Sequence, residues 1–118
     1  MSEEISHYRT DRDSSQLDDL LGVLAESRRR VLLTRLSEAD GPVPLATLAR
    51  GVARAESDGS GEVSTDAVQQ VYLTLYHVHV PKLAAAALVR FDEERNAVAP
   101  GPAFQRGISV LSAVASSD

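Results

Sequence analysis

The chain lacks cysteine and tryptophan altogether and has a single lysine among its 118 residues. The absence of cysteine excludes disulfide bonds, thiolate zinc sites and cysteine nucleophiles. No apolar run approaches the ~20 residues that would cross a bilayer, and residues 1–8 lack the basic start and apolar stretch of a secretory signal. We therefore expect a cytoplasmic protein that does not enter membranes.

The composition that is present is globular, with 43% hydrophobic and 25% charged residues, which predicts one folded domain. The net charge of −5 is unevenly distributed, at −5 over residues 1–27, +4 over residues 28–54 and −4 over residues 55–118. A basic middle therefore lies between two acidic flanks. Residues 1–15 have many charges and no apolar periodicity, so we expect a flexible tail followed by a single domain over residues 16–116.

Apolar spacing predicts helices in the first half of this domain. A stripe with the spacing i, i+3, i+4, i+7 predicts a first helix, and it consists of Leu17, Leu20, Leu21 and Leu24. Ser27 is a candidate N-cap for a second helix that runs to about residue 39. Pro42 and Pro44 permit at most a short edge strand in the next segment, because proline has no N–H for a sheet.

The pattern continues with two more helices, the second of which contains a break. A third helix is predicted from about residue 45 to residue 55, followed by a solvated loop over residues 56–63. The fourth helix is expected to begin at a cap provided by Ser64, Thr65 or Asp66. Pro81 should kink or interrupt this helix over residues 77–80, before residues 82–87 resume it.

The periodicity then changes from helical to alternating. Apolar residues over 88–92 and 97–99 flank polar residues 93–96 and predict a β-hairpin, about residues 88–100. Pro102 is well placed to begin a last helix, about residues 102–115. The predicted fold class is mainly α with a small β-hairpin (α+β). The order of elements is that of a winged helix-turn-helix domain with extra N- and C-terminal helices.

Parts of the sequence also resemble known proteins. Residues 26–36 look like the start of the second helix in ArsR-like regulators, and residues 82–89 resemble the end of their recognition helix. The run VYLTLYHVHVPKL, residues 71–83, is similar to the HVHLPKL-type signature of a haloarchaeal family of small, largely uncharacterised winged-helix proteins. The resemblance implies a winged-helix regulator. Ala87 stands where such regulators usually have glycine, so we expect a relaxed turn before the hairpin.

The fourth helix is the predicted recognition helix, and the hairpin is the predicted wing that contacts the DNA backbone. Glutamine reads adenine edges in the major groove, whereas arginine and lysine bind phosphates. The candidate DNA-binding residues are Gln69, Gln70, Thr74, His77, Lys82, Arg50, Arg54, Arg90 and Arg95. The structural alternative is a solvated helix face, with Arg90 and Arg95 paired to acids of the hairpin.

We therefore predict a sequence-specific transcriptional regulator that binds double-stranded DNA. The alternative is a winged-helix protein–protein interaction module that does not bind DNA directly. The acidic tip of the hairpin, residues 92–95, and the near absence of lysine favour this alternative.

Arg28, Arg29 and Arg30 form the densest basic run. Positive charge at the start of a helix is unfavourable with respect to the helix dipole. We therefore expect an arginine here to pair with Glu26 or Asp18 and to fix two helices together. The alternative is a phosphate-binding patch.

Catalytic and metal-binding patterns are lacking. His77 and His79 are two residues apart, which separates them by about 200° on a helix, so they would not chelate one ion unless Pro81 unwinds the turn. No glycine-rich phosphate loop, nucleophile elbow or zinc-protease pattern is present. We predict no metal, no cofactor and no enzymatic activity.

The terminal helices carry more apolar surface than a minimal winged helix needs. Related regulators dimerise through helices outside the DNA-binding motif, and a two-fold axis matches palindromic operators. We therefore predict a homodimer, with an interface formed by Leu17, Leu20, Leu21, Leu24, Phe104, Ile108 and Leu111. The alternative is that both helices complete the core of a monomer.

Overall fold

A computed structural model describes residues 15–57 and 62–116 of the chain. The predicted tail lies outside the described residues except for residue 15, which is already helical, and the middle of the predicted loop over residues 56–63 lies outside them as well. No helix in the described part of the chain combines the length and the apolar character needed to cross a membrane.

The described residues form helices in both halves and a small sheet. Helix α1 covers residues 15–23. The remaining elements are α2 (Ser27–Ser37), β1 (Val43–Pro44), α3 (Leu45–Glu56), α4 (Thr65–Thr74), a π-helical segment (Leu75–His79), α5 (Val80–Ala85), β2 (Val89–Asp92), β3 (Ala97–Pro100) and α6 (Phe104–Ser116). The predicted α+β class, mainly helical with a β-hairpin, is confirmed.

The sheet is antiparallel and has the strand order β1-β3-β2 within the described residues. Val43 pairs with Val98 of β3, and Val89 of β2 pairs with Pro100 of β3. The short strand β1 therefore lies at the edge of the sheet, as predicted from Pro42 and Pro44, where the missing N–H of a proline costs no ladder bond. Leu45 continues this attachment, since its N–H donates to the carbonyl of Asn96 at 2.9 Å.

Leucine side chains from several helices fill one core. Those that are fully buried come from α2, α3, the π-helical segment, α5 and the residue just before β2, and they are Leu32, Leu33, Leu36, Leu45, Leu48, Leu75, Leu83 and Leu88. Val98 of β3 is equally buried, so the sheet closes one side of this core. Burial of a leucine side chain stabilises the fold by about 1.5–3 kcal/mol, which makes this cluster the main source of stability.

Two helix caps differ in part from the sequence prediction. Ser27 is the first residue of α2 rather than its N-cap, and Glu26 occupies the cap position without a side-chain hydrogen bond. Ser64 caps α4, because its hydroxyl accepts a hydrogen bond from the backbone N–H of Ala67 at 3.1 Å. Of the three candidate caps for α4, the one that lies first in the sequence is therefore the one used.

The predicted interruption before Pro81 is confirmed and takes the form of the π-helical segment. The backbone N–H of Val80 bonds to the carbonyl of Leu75, five residues earlier. Pro81 has no N–H to donate to the carbonyl of His77, which is what a regular α-helix would require. Helices α4 and α5 are consequently one helical run with a single wider turn between them.

The predicted relaxed turn at Ala87 is wrong. Ala87 has a φ of 62°, in the left-handed region that glycine usually occupies, so the tight turn is kept despite the alanine side chain. Its carbonyl accepts a hydrogen bond from the N–H of Ala103 at 2.8 Å. A Cβ at Gly101 would lie 2.5 Å from the same carbonyl oxygen. The close approach of two backbone segments at the start of the hairpin therefore depends on the glycine at 101 instead.

Candidate nucleic-acid interface

Helix α4 is held by its apolar side and presents a polar side to solvent. Val71 and, one turn later, Leu75 are buried in the core, whereas Gln69 and Gln70 are exposed. Thr74 is half-buried and its hydroxyl donates to the carbonyl of Gln70 at 2.9 Å. Two of the predicted base-reading side chains are thus accessible, and the hydroxyl proton of the third is engaged within the helix.

The same helical run also exposes apolar side chains that the sequence analysis did not single out. Leu73 is 47% exposed, and Tyr76 and Val78 are each 40% exposed. Each lies between the buried positions 71, 75 and 79, and this spacing in the sequence could have predicted that these side chains face solvent. The exposed side of α4 and the π-helical segment is therefore mixed, with two glutamines next to large apolar groups.

An aromatic groove separates the π-helical segment and α5 from the hairpin. The Tyr76 ring lies edge-on to Phe91 of β2, with centroids 5.9 Å apart, and edge-on to His77 at 4.9 Å. The groove has a volume of about 510 Å³, and its lining also includes Val80, Pro81, Ala84 and Glu93. The predicted residue His77 therefore lies at the border between α4 and the hairpin.

The hairpin is fastened to α4 and carries exposed basic residues. The Asn96 side-chain amide donates a hydrogen bond to the Tyr72 hydroxyl. Arg90 and Arg95 are exposed, as is Lys82 on α5. Arg95 Nε lies 3.9 Å from Asp92 Oδ2, a loose pair with both side chains largely in solvent. The pairing foreseen for Arg95 is thus present but weak, and no ion pair of Arg90 is found among the described residues.

Arg50 and Arg54 lie in a different groove from the face of α4. This groove, between α2 and α3, has a volume of about 300 Å³ and is also lined by Arg35, Glu38 and Thr47. Arg50 Nη2 donates to the Thr47 hydroxyl at 3.4 Å, a long contact between exposed groups. Arg35 was not among the predicted residues, because it comes from the preceding helix and joins the two predicted phosphate-binding residues only in the folded chain.

The arginine run at the start of α2 has the structural role that was predicted, but with other partners. Arg28 donates two hydrogen bonds to Glu56 of α3, at 2.6 and 2.9 Å, rather than pairing with Glu26 or Asp18. The hydrogen bond with Glu56 raises the pKa of Arg28, and the nearby negative charge adds to this against the effect of partial burial. The pair ties the start of α2 to the end of α3.

Arg30 and Arg29 both bind backbone carbonyls at the end of α1 and in the turn that follows it. Arg30 Nη1 donates to the carbonyls of Leu24 and Ala25 at 2.9 and 2.7 Å. Arg29 Nη1 donates to the carbonyl of Val23 at 3.0 Å. The last carbonyls of a helix have no partners inside it, so these guanidinium groups supply the missing donors.

Arg29 and His79 form a buried polar pair between α2 and the π-helical segment. Arg29 is 7% exposed and His79 is 6% exposed, and Arg29 Nε donates to His79 Nδ1 at 3.1 Å. Burial lowers the pKa of His79, and the positive charge of Arg29 lowers it further. The neutral imidazole accepts through Nδ1 and therefore carries its proton on Nε2. His79 is thus a core residue, while its neighbour His77 is exposed.

The structure divides the predicted dimer residues into three groups. Leu24 and Phe104 are buried in the core of the single chain, each with 4% exposure. Leu20, Ile108 and Leu111 are partly buried and pack against that core. Leu17 and Leu21 are 41% and 40% exposed on α1, so these two retain apolar surface that a second chain would cover.

No group of three potential metal-binding side chains occurs within residues 15–57 and 62–116.

Residues 21–99 match a family described as a domain of unknown function, DUF7344. The matched region extends from the end of α1 to the last strand and leaves out α6. No curated protein and no solved structure matches the chain. The resemblance to ArsR-like regulators and to a haloarchaeal winged-helix family therefore stays a prediction.

Proposed function

The chain belongs to the DUF7344 family, and we propose that it is a winged helix-turn-helix regulator that binds double-stranded DNA as a homodimer. In this proposal α2, α3 and α4 form the three-helix unit, α4 is the recognition helix, and the hairpin of β2 and β3 is the wing. Two features support it. The first is the order of the elements along the chain, and the second is that β1, which lies between α2 and α3 in the sequence, pairs with β3 of the hairpin.

The observation that carries the proposal is the exposed pair Gln69 and Gln70 on a helix whose opposite side is locked in the core. A helix with its side chains is about 10–12 Å in diameter, which fits a major groove ~12 Å wide, and the ten residues of α4 give about 15 Å of helix to lie along it. The side-chain NH2 of a glutamine can donate to N7 of adenine while its amide oxygen accepts from N6. The two side chains would therefore select adenine-containing steps.

Basic residues at the hairpin and α5 would hold the DNA backbone beside this helix. Lys82, Arg90 and Arg95 are exposed there, while α4 itself has no lysine or arginine. Contacts to phosphates fix register without reading sequence. Because the whole chain has a net charge of −5, long-range attraction to DNA is weak and binding would depend on close contacts.

Selection from a randomised duplex library tests the proposal. We expect enrichment of a shared, roughly palindromic element, and a loss of at least about tenfold in affinity for it in Gln69→Ala and Gln70→Ala. Gln105→Ala is the matched control, because Gln105 is equally exposed but lies on α6. A folded protein that enriches no element, or equal affinity in all three variants, would contradict the proposal.

The homodimer has its own test. Leu17→Ser and Leu21→Ser are expected to shift the sedimentation of the protein from dimer to monomer, because both side chains retain exposed apolar surface on α1. Leu73→Ser, at an even more exposed leucine but on α4, is the control and should leave the assembly state unchanged. A monomer at all concentrations in the unsubstituted protein would refute this part.

The exposed apolar side chains favour a second candidate, a winged-helix module that binds another protein. Leu73 and Tyr76 are exposed on the run that would otherwise enter the DNA groove, and aromatic anchors are typical of protein interfaces. If the duplex selection fails, loss of cross-linked partners in Leu73→Ser and Tyr76→Ser, but not in Leu17→Ser, would support this candidate.

A further inference from the structure

The basic segment over residues 28–54 has six arginines, and only some of them are engaged inside the protein. The first three bind Glu56, His79 and the carbonyls at the end of α1. The other three, Arg35, Arg50 and Arg54, line one groove between α2 and α3, which we call the arginine groove. None of these three has an ion pair among the described residues.

The arginine groove concentrates positive charge on an otherwise acidic chain. Its lining contains three guanidinium groups and one carboxylate, that of Glu38, so it has a local excess of two positive charges. The chain as a whole has a net charge of −5. Like charges that share one groove repel one another, and a bound anion would remove this repulsion.

Gly51 gives the Arg35 side chain room against α3. A Cβ at position 51 would lie 3.3 Å from Arg35 Nε and 3.6 Å from its Cδ. The glycine therefore lets the Arg35 side chain lie across α3, on the side that carries Arg50 and Arg54. The three cations come from two helices that pack on the core, so the backbone positions that carry them are fixed.

We propose that the arginine groove binds phosphoryl groups through Arg35, Arg50 and Arg54. Guanidinium groups present planar, forked donors that match two phosphate oxygens, and they stay charged at every relevant pH. The Thr47 hydroxyl in the same lining supplies a neutral donor. The volume of about 300 Å³ lies at the small end of the range for ligand sites and suits a short run of phosphates.

Two sources provide this chemistry, the backbone of duplex DNA and a free polyphosphate such as that of a nucleotide. The groove shares no residue with the exposed face of α4, so the inference does not require that α4 reads bases. If DNA is the source, the inference extends the proposed function by adding backbone contacts from α2 and α3. If a free polyphosphate is the source, the groove is an effector site.

The first experiment measures tripolyphosphate binding to the full chain by isothermal titration at low salt, without DNA. We expect each of Arg35→Gln, Arg50→Gln and Arg54→Gln to weaken binding about fivefold. Arg106→Gln makes the same change of charge on exposed α6 and is expected to retain the affinity of the unsubstituted protein. Thermal unfolding of every variant verifies that the fold is intact.

The second experiment measures the salt dependence of binding to a random-sequence duplex. If DNA occupies the groove, each of the three substitutions lowers the slope of log K against log salt by about 0.9, and Arg106→Gln does not. If the groove variants lose affinity for tripolyphosphate but keep the slope with DNA, the ligand is a free polyphosphate.

The inference is overturned if the groove variants and Arg106→Gln behave alike with both probes, or if the unsubstituted protein binds neither. These results are separable from those for α4. Normal phosphate binding in Gln69→Ala with no enriched operator would remove the proposed base reading and leave the groove. An operator lost in Gln69→Ala, with groove variants that behave like Arg106→Gln, would do the reverse.

Discussion

Two sets of three arginines lie within the same basic segment, and one set binds partners inside the protein while the other lines a groove at the surface. Arg28, Arg29 and Arg30 are consecutive in the sequence, yet they point to three different partners inside the protein. In the arginine groove, Arg35 comes from a different helix than Arg50 and Arg54, yet the three residues line one surface. A basic stretch of sequence is therefore a poor guide to a basic surface, because the neighbours in the fold decide which charges reach solvent.

Helix geometry explains the difference. Consecutive residues are rotated by about 100° around a helix, so three arginines in a row spread over about 200° of its circumference. One reaches α3, one enters the core and one returns to α1. Arg50 and Arg54 are four residues apart and therefore share a side of α3, to which α2 adds Arg35. Substitutions in the two sets and in their partners should therefore change the free energy of unfolding by very different amounts.

The largest effect is expected for Arg29→Met. The substitution removes the donors to His79 Nδ1 and to the carbonyl of Val23 in a buried setting, so the free energy of unfolding should fall by about 2–4 kcal/mol. Urea unfolding measures the change. Arg35→Met, a substitution of the same type on an exposed side chain of the same helix, should change it by less than about 0.5 kcal/mol. Equal losses would erase the distinction between the two sets.

The partner of Arg29 should matter almost as much and should add a pH dependence. His79→Leu leaves the buried Arg29 Nε–H unpaired, which should cost about 1–3 kcal/mol at neutral pH. Because the pKa of His79 is lowered in the folded protein, the unfolded state binds more protons below the ordinary value of 6.5. The stability of the unsubstituted protein should therefore decrease as the pH falls below about 6.5.

The two histidines of the π-helical segment separate this contribution from general acid effects. Stability curves as a function of pH should be flatter for His79→Leu than for the unsubstituted protein. His77→Leu alters an exposed histidine two residues away and should keep the slope. If both substitutions flatten the curve equally, the buried pair is not its cause.

A smaller effect is expected for the ion pair between Arg28 and Glu56. Both side chains are about one-third exposed, at 30% and 35%, so the bidentate pair should contribute about 0.5–1 kcal/mol. A double-mutant cycle with Arg28→Ala and Glu56→Ala measures this coupling. High salt should reduce it, whereas the contribution of Arg29 should persist. A coupling of zero at low salt would mean that the pair only accompanies the packing of α2 on α3.

The smallest effect on stability is expected in the arginine groove. Arg35→Gln, Arg50→Gln and Arg54→Gln should each leave the free energy of unfolding within about 0.5 kcal/mol of its original value. Their effect should fall on anion binding instead, as the titration with tripolyphosphate measures. A loss above about 1 kcal/mol in any of them would show that the residue supports the fold like the first set.

Local patterns in the sequence were sufficient for most of the elements. The apolar spacing around Leu45 and Leu48 predicted α3, the alternation around Phe91 predicted the hairpin, and Pro81 predicted the interruption of the long helix. Each of these signals depends on a few adjacent residues. The turn at Ala87 was mispredicted because its backbone is held by Gly101 and Ala103, which are distant in the sequence.

Partners across the fold could not be predicted in the same way. Glu56 is 28 positions from Arg28, and His79 is 50 positions from Arg29. These pairs exist because α2 packs against both α3 and the π-helical segment, which no local pattern specifies. The candidate DNA-binding residues illustrate the same limit, since exposure on α4 followed from periodicity but the grouping of Arg50 and Arg54 with Arg35 did not.

The wider turn before Pro81 also sets which residues of the following helix enter the core. In an uninterrupted α-helix, position 82 would lie within about 20° of Leu75, so the one lysine of the chain would point inward. The extra residue in the turn advances the helix by one position, and Leu83 is fully buried while Lys82 is exposed. The π-helical segment thus shifts by one residue which positions of the following helix face the core. Because of this shift, the apolar Leu83 of α5 packs in the core and the charged Lys82 lies on the surface beside the hairpin.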